Sequence, residues 1–439
     1  MKFNEYKQLD LTKVAEEILA FWKASNIFEQ SISAREGVAP FVFFEGPPSA
    51  NGVPGIHHVM ARSIKDIFCR YKTQKGFQVK RKAGWDTHGL PVELGVEKEL
   101  GITKEDIGKK ISIEDYNKAC KEAVMRYTDI WNDLTEKIGY WVDMDDPYIT
   151  YKPKYMESVW WLLKQLYNKQ LLYKGYTIQP YSPKAGTGLS SHELNQPGCY
   201  RDVSDTTVVA QFKVKALATA ATKALGNPTE PIHILAWTTT PWTLPSNTAL
   251  AVGKEIDYVL VKTFNQYTFE PITIIIGKPL LAKQFGKKFV EGDAEAFAAY
   301  TPESKTIPYQ ILGECKGADL VGTTYEQLIA WCAPAENADQ AFRVIAGDFV
   351  TTDDGTGIVH IAPTFGADDA RAAKAYDIPP MLVKDADGNL IPLVDLQGKF
   401  ITGHNIPELF AGKYIKNEYY EAGQAPEKSW DVSLAILLK

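Results

Sequence analysis

The stretch Phe41-Val42-Phe43-Phe44-Glu45-Gly46-Pro47-Pro48-Ser49-Ala50-Asn51-Gly52 decides how the rest of the chain is read. Its first four residues form an apolar run that predicts a buried strand. The residues after them are turn formers, and they stop it. Gly55-Ile56-His57-His58 then opens a segment in which Val59, Met60, Ser63, Ile64, Ile67, Phe68 and Tyr71 recur at helical spacing. A second apolar and basic segment, around Phe77 to Lys82, leads to Gly84-Trp85-Asp86-Thr87-His88-Gly89-Leu90-Pro91-Val92-Glu93. Strand, Gly/Pro loop, helix and strand make half of a nucleotide-binding βαβ unit. The free N–H groups and positive dipole end of such a helix favour an anion beside residues 55 to 58. His57 and His58 add donors that could follow charge developing on a phosphate. Neither a P-loop nor a dinucleotide fingerprint occurs in this loop. A lone histidine pair in a first helical turn is more often plain surface polarity than a ligand set.

The chain has 439 residues, 45% of them hydrophobic, which is enough for two or three cores. A net charge of −6 does not advertise nucleic-acid binding, although a local basic face could still meet an RNA. Five scattered cysteines without a Cys-x-x-Cys point to a reducing cytoplasm. The absence of a long apolar run and the polar start Met1 to Glu5 argue against a membrane span or a signal peptide.

Leu9 to Phe28 reads as an amphipathic helix capped by Asp10, with Val14, Ile18, Leu19, Phe21 and Trp22 on its apolar face. Apolar stripes at Ala119 to Leu134 and at Val159 to Leu166 predict core-facing helices. From about Gly186 the texture changes to strand-like segments: Thr206 to Val214, His233 to Trp237, Ala249 to Val252, Tyr258 to Lys262, Ile272 to Ile276 and Gly357 to Ala362. They imply a β-rich domain with some helices.

Two loops in that domain concentrate chemistry. Trp237-Thr238-Thr239-Thr240-Pro241-Trp242-Thr243 gathers hydroxyls and two indoles. Gly355 to Asp369 is a strand through His360 that ends in a polar loop with the acidic pair Asp368-Asp369. Each has a bland alternative, since threonines favour strands and an aspartate pair can cap a helix.

Taken together, the Glu45-Gly46-Pro47-Pro48-x-Ala50-Asn51-Gly52 and Gly84 to Glu93 segments resemble the active-site half of the isoleucyl-tRNA synthetases, which are class I aminoacyl-tRNA synthetases. The likeness runs through Gly139 to Thr187, both loops above and Phe400 to Lys439. It implies an α/β fold: the first half of a Rossmann-like catalytic domain with an inserted β-rich (α+β) editing domain. The implied boundaries are 1–185, 186–398 and a return segment at 399–439. It further implies isoleucine, tRNA, and ATP with Mg2+ as substrates, and a cytoplasmic monomer. Pro47 and Asp86 would hold the amino acid. Gly55, His57 and His58 would face ATP, the two histidines acting in catalysis. Trp237, Thr238, Thr239, Thr240, Thr243, His360 and Asp369 would form the editing site, with Asp369 holding the substrate amine.

Relatives often carry a zinc knuckle where this chain has Ser182 and Ala185, so no metal is expected here, and zinc would belong only to a later part. The absence of a Lys-Met-Ser-Lys-Ser loop marks the chain as an N-terminal piece that should not form isoleucyl-adenylate by itself. The family signature His-x-Gly-His appears as Gly55-Ile56-His57-His58, with the first His and the Gly exchanged. His57 is therefore expected to take volume beside the nucleotide unless it swings away. Two other readings stand beside this one: a stand-alone tRNA-editing or RNA-binding module, and a valine-specific synthetase.

Overall fold

The computed structural model describes residues 8–175 and 177–439, so the polar start Met1 to Glu5 lies outside the described residues. Contacts divide the chain into two units, Met1–Gly175 and Tyr176–Lys439.

In the first unit α1 (Leu11–Ala24) starts where Asp10 accepts the Lys13 N–H at 3.2 Å. A short α2 (Ile27–Ser33) follows. The central motif is β1 (Pro40–Phe44), α3 (Ile56–Gln74) and β2 (Gln78–Trp85). The two strands run parallel, from Pro40 opposite Gln78 to Phe44 opposite Lys82. Helices α4 (Leu90–Leu100), α5 (Ile113–Val124) and α6 (Thr128–Lys137) lead to β3 (Asp143–Ile149), which also runs parallel to β2. The sheet order is β1-β2-β3, and α7 (Pro153–Asn168) follows. Small cores form around Ala50, Trp85 and Trp131, and around Ala83, Tyr140 and Val142.

Two expectations need correction here. The Phe41–Phe44 strand is not buried: Val42 and Phe44 are 58% and 59% exposed. Strand β1 pairs only with β2, so its other edge has no partner among the described residues. The apolar stripe of α3 also faces outward, and the side chains that α3 buries are Arg62, Cys69 and Thr73. Polar groups tie α3 to β2 instead, with buried Arg81 bonded to Asp66 at 2.8 Å and to Thr73 at 3.3 Å. Finally, α7 buries none of its residues, and Trp160 and Trp161 stand exposed. Spacing reports which face is apolar, not whether anything covers it.

The second unit opens with a small hairpin, β4 (Tyr181–Ser182) and β5 (Thr187–Gly188). Its main sheet is built from β6 (Val208–Ala216), β7 (Ile232–Thr238), β8 (Ala249–Val252), β9 (Asp257–Phe264), β10 (Pro271–Gly277), β11 (Phe289–Glu291), β12 (Ile307–Lys316), β13 (Thr324–Tyr325), β14 (Arg343–Ala346) and β15 (Ile358–Ile361). The order is β11-β12-β9-β10-β7-β6-β13-β14-β8-β15, with parallel and antiparallel pairs mixed. All six strand-like segments of the sequence fall in this sheet. Phe212, Ile234, Leu250 and Leu260 form its core together with Phe400, Phe410, Trp430 and Leu434 from the end of the chain.

Candidate functional site

Two sites emerge, one in each unit. The first gathers at the carboxyl ends of β1 and β2. Asp86 follows β2 directly, and its N–H donates to Pro48 O at 3.0 Å, joining the Pro47-Pro48 loop to that strand end. Asp86 lines a cleft of about 370 Å3 with His88, Thr150, Tyr155, Met156, Val159 and Trp160. The exposed aromatic face of α7 is therefore one wall of this cleft.

Helix α3 begins after the loop that follows β1, with Gly55 as N-cap. The His58 Nδ1 accepts the Gly55 N–H at 2.9 Å, so the neutral ring carries its proton on Nε2. Its ring meets Trp131 edge-on at 4.6 Å. Burial, and then the charges of His57, Arg62 and Lys65, hold the His58 pKa below the ordinary imidazole value, while the Gly55 hydrogen bond pulls the other way. His57 is exposed and its ring centre lies 3.8 Å from that of His58.

Glu45, absent from the sequence-derived site, is almost fully buried at the end of β1. It accepts from Lys65 of α3 and from the Tyr140 hydroxyl. Arg62 is buried over the Trp131 ring, 5.0 Å from its centre, and donates to Thr135. The available signal was Arg62 and Lys65, three residues apart, interrupting the helical segment after the histidines.

The second site joins the loop after β7 to the end of β15. Thr238 is buried, and its hydroxyl accepts the Thr240 N–H at 3.1 Å. A short helical turn, Pro241–Ser246, then carries Trp242 and Thr243. The Thr243 hydroxyl donates to Thr240 O at 2.8 Å, which leaves its oxygen to accept from His360 Nε2 at 3.1 Å. Burial pushes the His360 pKa down to about 4, and its Nδ1 has no hydrogen-bond partner. Two residues beyond His360, the Ala362 N–H donates to Asp369 Oδ1 at 2.8 Å. Burial raises the Asp369 pKa, and that hydrogen bond opposes the rise. Gly366 makes room for the carboxylate, since a Cβ there would sit 2.1 Å from Asp369 Oδ2. Trp242 packs edge-on against Phe365 at 4.9 Å, so both loops meet through this ring pair as well as through Thr243 and His360. Trp237 lies against Gly355, while Thr239 and Thr240 are exposed at the loop surface. Among the described residues no group of three or more His, Cys, Asp or Glu is placed to hold a metal ion, and no helix is long and apolar enough to cross a membrane. At the Ser182/Ala185 knuckle, Ser182 Oγ accepts the Ala185 N–H at 3.2 Å.

The family model described as "tRNA synthetases class I (I, L, M and V)" matches residues 17–353. The chain belongs to the class I tRNA synthetases. Within that family it is 58% identical to an isoleucine–tRNA ligase of Porphyromonas gingivalis and 60% identical to one of Bacteroides fragilis. Each comparison takes in 100% of this chain and 39% of the relative. An isoleucine–tRNA ligase of Clostridium tetani is 45% identical over 90% of this chain and 34% of its own length. The chain thus spans about two fifths of the length of the curated relatives it matches. The solved P. falciparum cytosolic leucyl-tRNA synthetase editing domain is 14% identical, with a TM-score of 0.26 over 38% of this chain and 64% of that one. That likeness is too weak to bear on the sites.

Proposed function

We propose that the protein containing this chain attaches isoleucine to its tRNA with ATP, and that the second unit hydrolyses valyl-tRNA formed in error. The observation that carries the first activity is the βαβ arrangement that sets Asp86 and the α3 N-terminus at neighbouring strand ends. In this reading Asp86 pairs with the isoleucine ammonium group and the aromatic wall of α7 encloses the aliphatic side chain, while Pro47 is assigned to the amino acid from the loop that the Asp86–Pro48 hydrogen bond ties to the strand end. His58 donates from Nε2 to an ATP phosphate, and His57 and Gly55 flank it. The amino-acid carboxylate attacks the α-phosphorus and pyrophosphate leaves. A terminal ribose hydroxyl of tRNA then attacks the acyl carbonyl and AMP leaves. Mg2+ enters with the phosphates as part of the substrate and neutralises their charge.

The second unit supplies a hydrolytic site without a nucleophilic triad. Asp369 holds the aminoacyl ammonium group, the hydroxyls of Thr238, Thr239, Thr240 and Thr243 hold the terminal ribose and a water, and Trp237 and His360 close the pocket. Positioning of water against an ester is sufficient for such a reaction. A second site is needed because one methylene in an apolar pocket is worth only ~1–3 kcal/mol, a general limit usually illustrated with isoleucine against valine and not a property measured on this chain. The domain division offered is 1–185, 186–398 and 399–439, and the protein acts as a cytoplasmic monomer.

The test is amino-acid-dependent ATP–pyrophosphate exchange by the complete protein. Isoleucine should be the best substrate, and Asp86→Ala should raise its KM by about 10–100-fold through loss of a charged hydrogen bond. Preference for valine over isoleucine would establish the valine-specific alternative instead.

A further inference from the structure

The structure assigns to Asp431 a positioning role in the second site: it tethers the turn that carries Trp242 and Thr243. This rests on the hydrolytic reading above.

Asp431 sits in the first turn of the helix Trp430–Leu437, far along the chain from the threonine loop, and is 0% exposed. A carboxylate so deeply buried must be paired to remain charged. It has two partners. Oδ2 accepts from Lys416 Nζ at 2.7 Å, and Lys416 also reaches Asp205 at 2.6 Å. Oδ1 accepts the Trp242 backbone N–H at 2.8 Å.

The second contact matters for the site. The turn Pro241–Ser246 begins at Thr240, which provides no side-chain cap. The Trp242 N–H is therefore one of the donors left over at the start of the turn, and Asp431 satisfies it across 189 residues of sequence. Trp242 is one residue from Thr243, whose hydroxyl meets His360, and its ring packs on Phe365 in the loop that leads to Asp369. Asp431 thus fixes the residue from which both halves of the site are held. Lys416 offsets its charge, so the tether stands as a buried ion pair anchored at the site. No step of the proposed hydrolysis uses Asp431 directly, and nothing in its sequence neighbourhood marks it as functional.

Loss of the tether should loosen the contact between Thr243 and His360, and with it the side of the pocket that His360 is proposed to close. A variant that only lowers the folded fraction reduces hydrolysis of both esters equally and leaves their ratio unchanged. A loosened wall changes the ratio.

The experiment compares wild type, Asp431→Ala, Asp431→Asn and Asp369→Ala in the complete protein. It measures hydrolysis of valyl-tRNA and isoleucyl-tRNA, and hydrogen exchange at the Trp242 amide. Asp431→Ala is expected to shift the valyl/isoleucyl ratio by at least about fivefold toward isoleucyl hydrolysis, because small displacements of positioning groups carry large rate effects. It should also speed Trp242 exchange. Asp431→Asn keeps an oxygen acceptor and should restore most of both properties. An unchanged ratio in Asp431→Ala, with Asp369→Ala markedly slowed, overturns the positioning role while leaving the site reading intact. Unaltered hydrolysis in Asp369→Ala overturns the site reading and this inference with it. Unaltered exchange in Asp431→Ala refutes the tether directly.

Discussion

The His57 imidazole lies over Gly55: a Cβ placed on Gly55 would come within 2.9 Å of His57 Cε1 and 3.0 Å of Nδ1. The ring therefore occupies the space that a side chain at 55 would enter, and it is stacked beside His58 at 3.8 Å. Relative to the His-x-Gly-His pattern that the resemblance implies, histidine and glycine have changed places in sequence, while an imidazole still stands next to residue 55. This bears on the expected loss of volume beside the nucleotide, because the ring is turned back along the loop.

The two positions should therefore be coupled. Gly55→His alone drives one imidazole into another, and His57→Gly alone removes the ring. The paired exchange, Gly55→His with His57→Gly, should recover most of the activity that Gly55→His loses. Residues in contact typically show interaction energies of about 0.5–3 kcal/mol in a double-mutant cycle, and a value near the upper half is expected here. Isoleucine-dependent pyrophosphate exchange of the four forms measures it. Additive effects would mean that His57 does not stand in the place of a side chain at 55.

His360 should make the second unit acid-sensitive. Its folded-state pKa of about 4 lies below the ordinary 6.5, so the unfolded chain takes up a proton first as pH falls. The stability contributed by the neutral ring is complete above about pH 6.5 and is lost between there and about pH 4. A shift of this size corresponds to up to about 3 kcal/mol. Urea unfolding of wild type and His360→Gln at about pH 7.5 and about pH 4.5 tests the sign. Wild type should lose more stability than the variant, while Asp369 and Asp431, whose pKa values are raised by burial, act in the opposite direction in both proteins. Equal losses would show that His360 is not the buried neutral group described.

Gly366 should be intolerant of a side chain for a reason tied to the site. The Asp369 carboxylate occupies the position of the missing Cβ. Gly366→Ala should push Asp369 off the Ala362 N–H and lower valyl-tRNA hydrolysis by about 10–100-fold, the range in which misplacement of about 1 Å acts. Isoleucine activation by the same protein is the control and should hold. Hydrolysis within twofold or so of wild type would show that the carboxylate can move without consequence.

How far the sequence alone reaches can be seen residue by residue. The βαβ unit was legible because an apolar run, a Gly/Pro loop and a helical repeat follow each other locally, and six strands of the larger sheet because they alternate or run apolar. Exposure was not legible. Val42, Phe44 and the outer face of α3 look like core by composition, yet no described element covers them. Strands β11 and β13 carry too few residues for a periodic signal, and β12, the longest, was missed although it has ten residues, its run being interrupted by Pro308, Gly313 and a shift in register. Within the sites, Thr243 and His360 were found as motif members, but their contact spans 117 residues and only the fold reveals it. Asp431 was missed because its partner Trp242 is remote in sequence, and Glu45 because its only signal was indirect, the cations Arg62 and Lys65 in the following helix.

Asp369 is proposed to hold the amine of a mischarged aminoacyl-tRNA in the second unit. The most direct measurement is the rate at which the complete protein hydrolyses valyl-tRNA, compared between wild type and Asp369→Ala. The carboxylate is half-buried and accepts the Ala362 N–H. Loss of a charged hydrogen bond of this kind costs about 1.5–3 kcal/mol, so Asp369→Ala should slow hydrolysis by about 10–100-fold and allow valyl-tRNA to accumulate. Hydrolysis by Asp369→Ala at the wild-type rate would contradict the account.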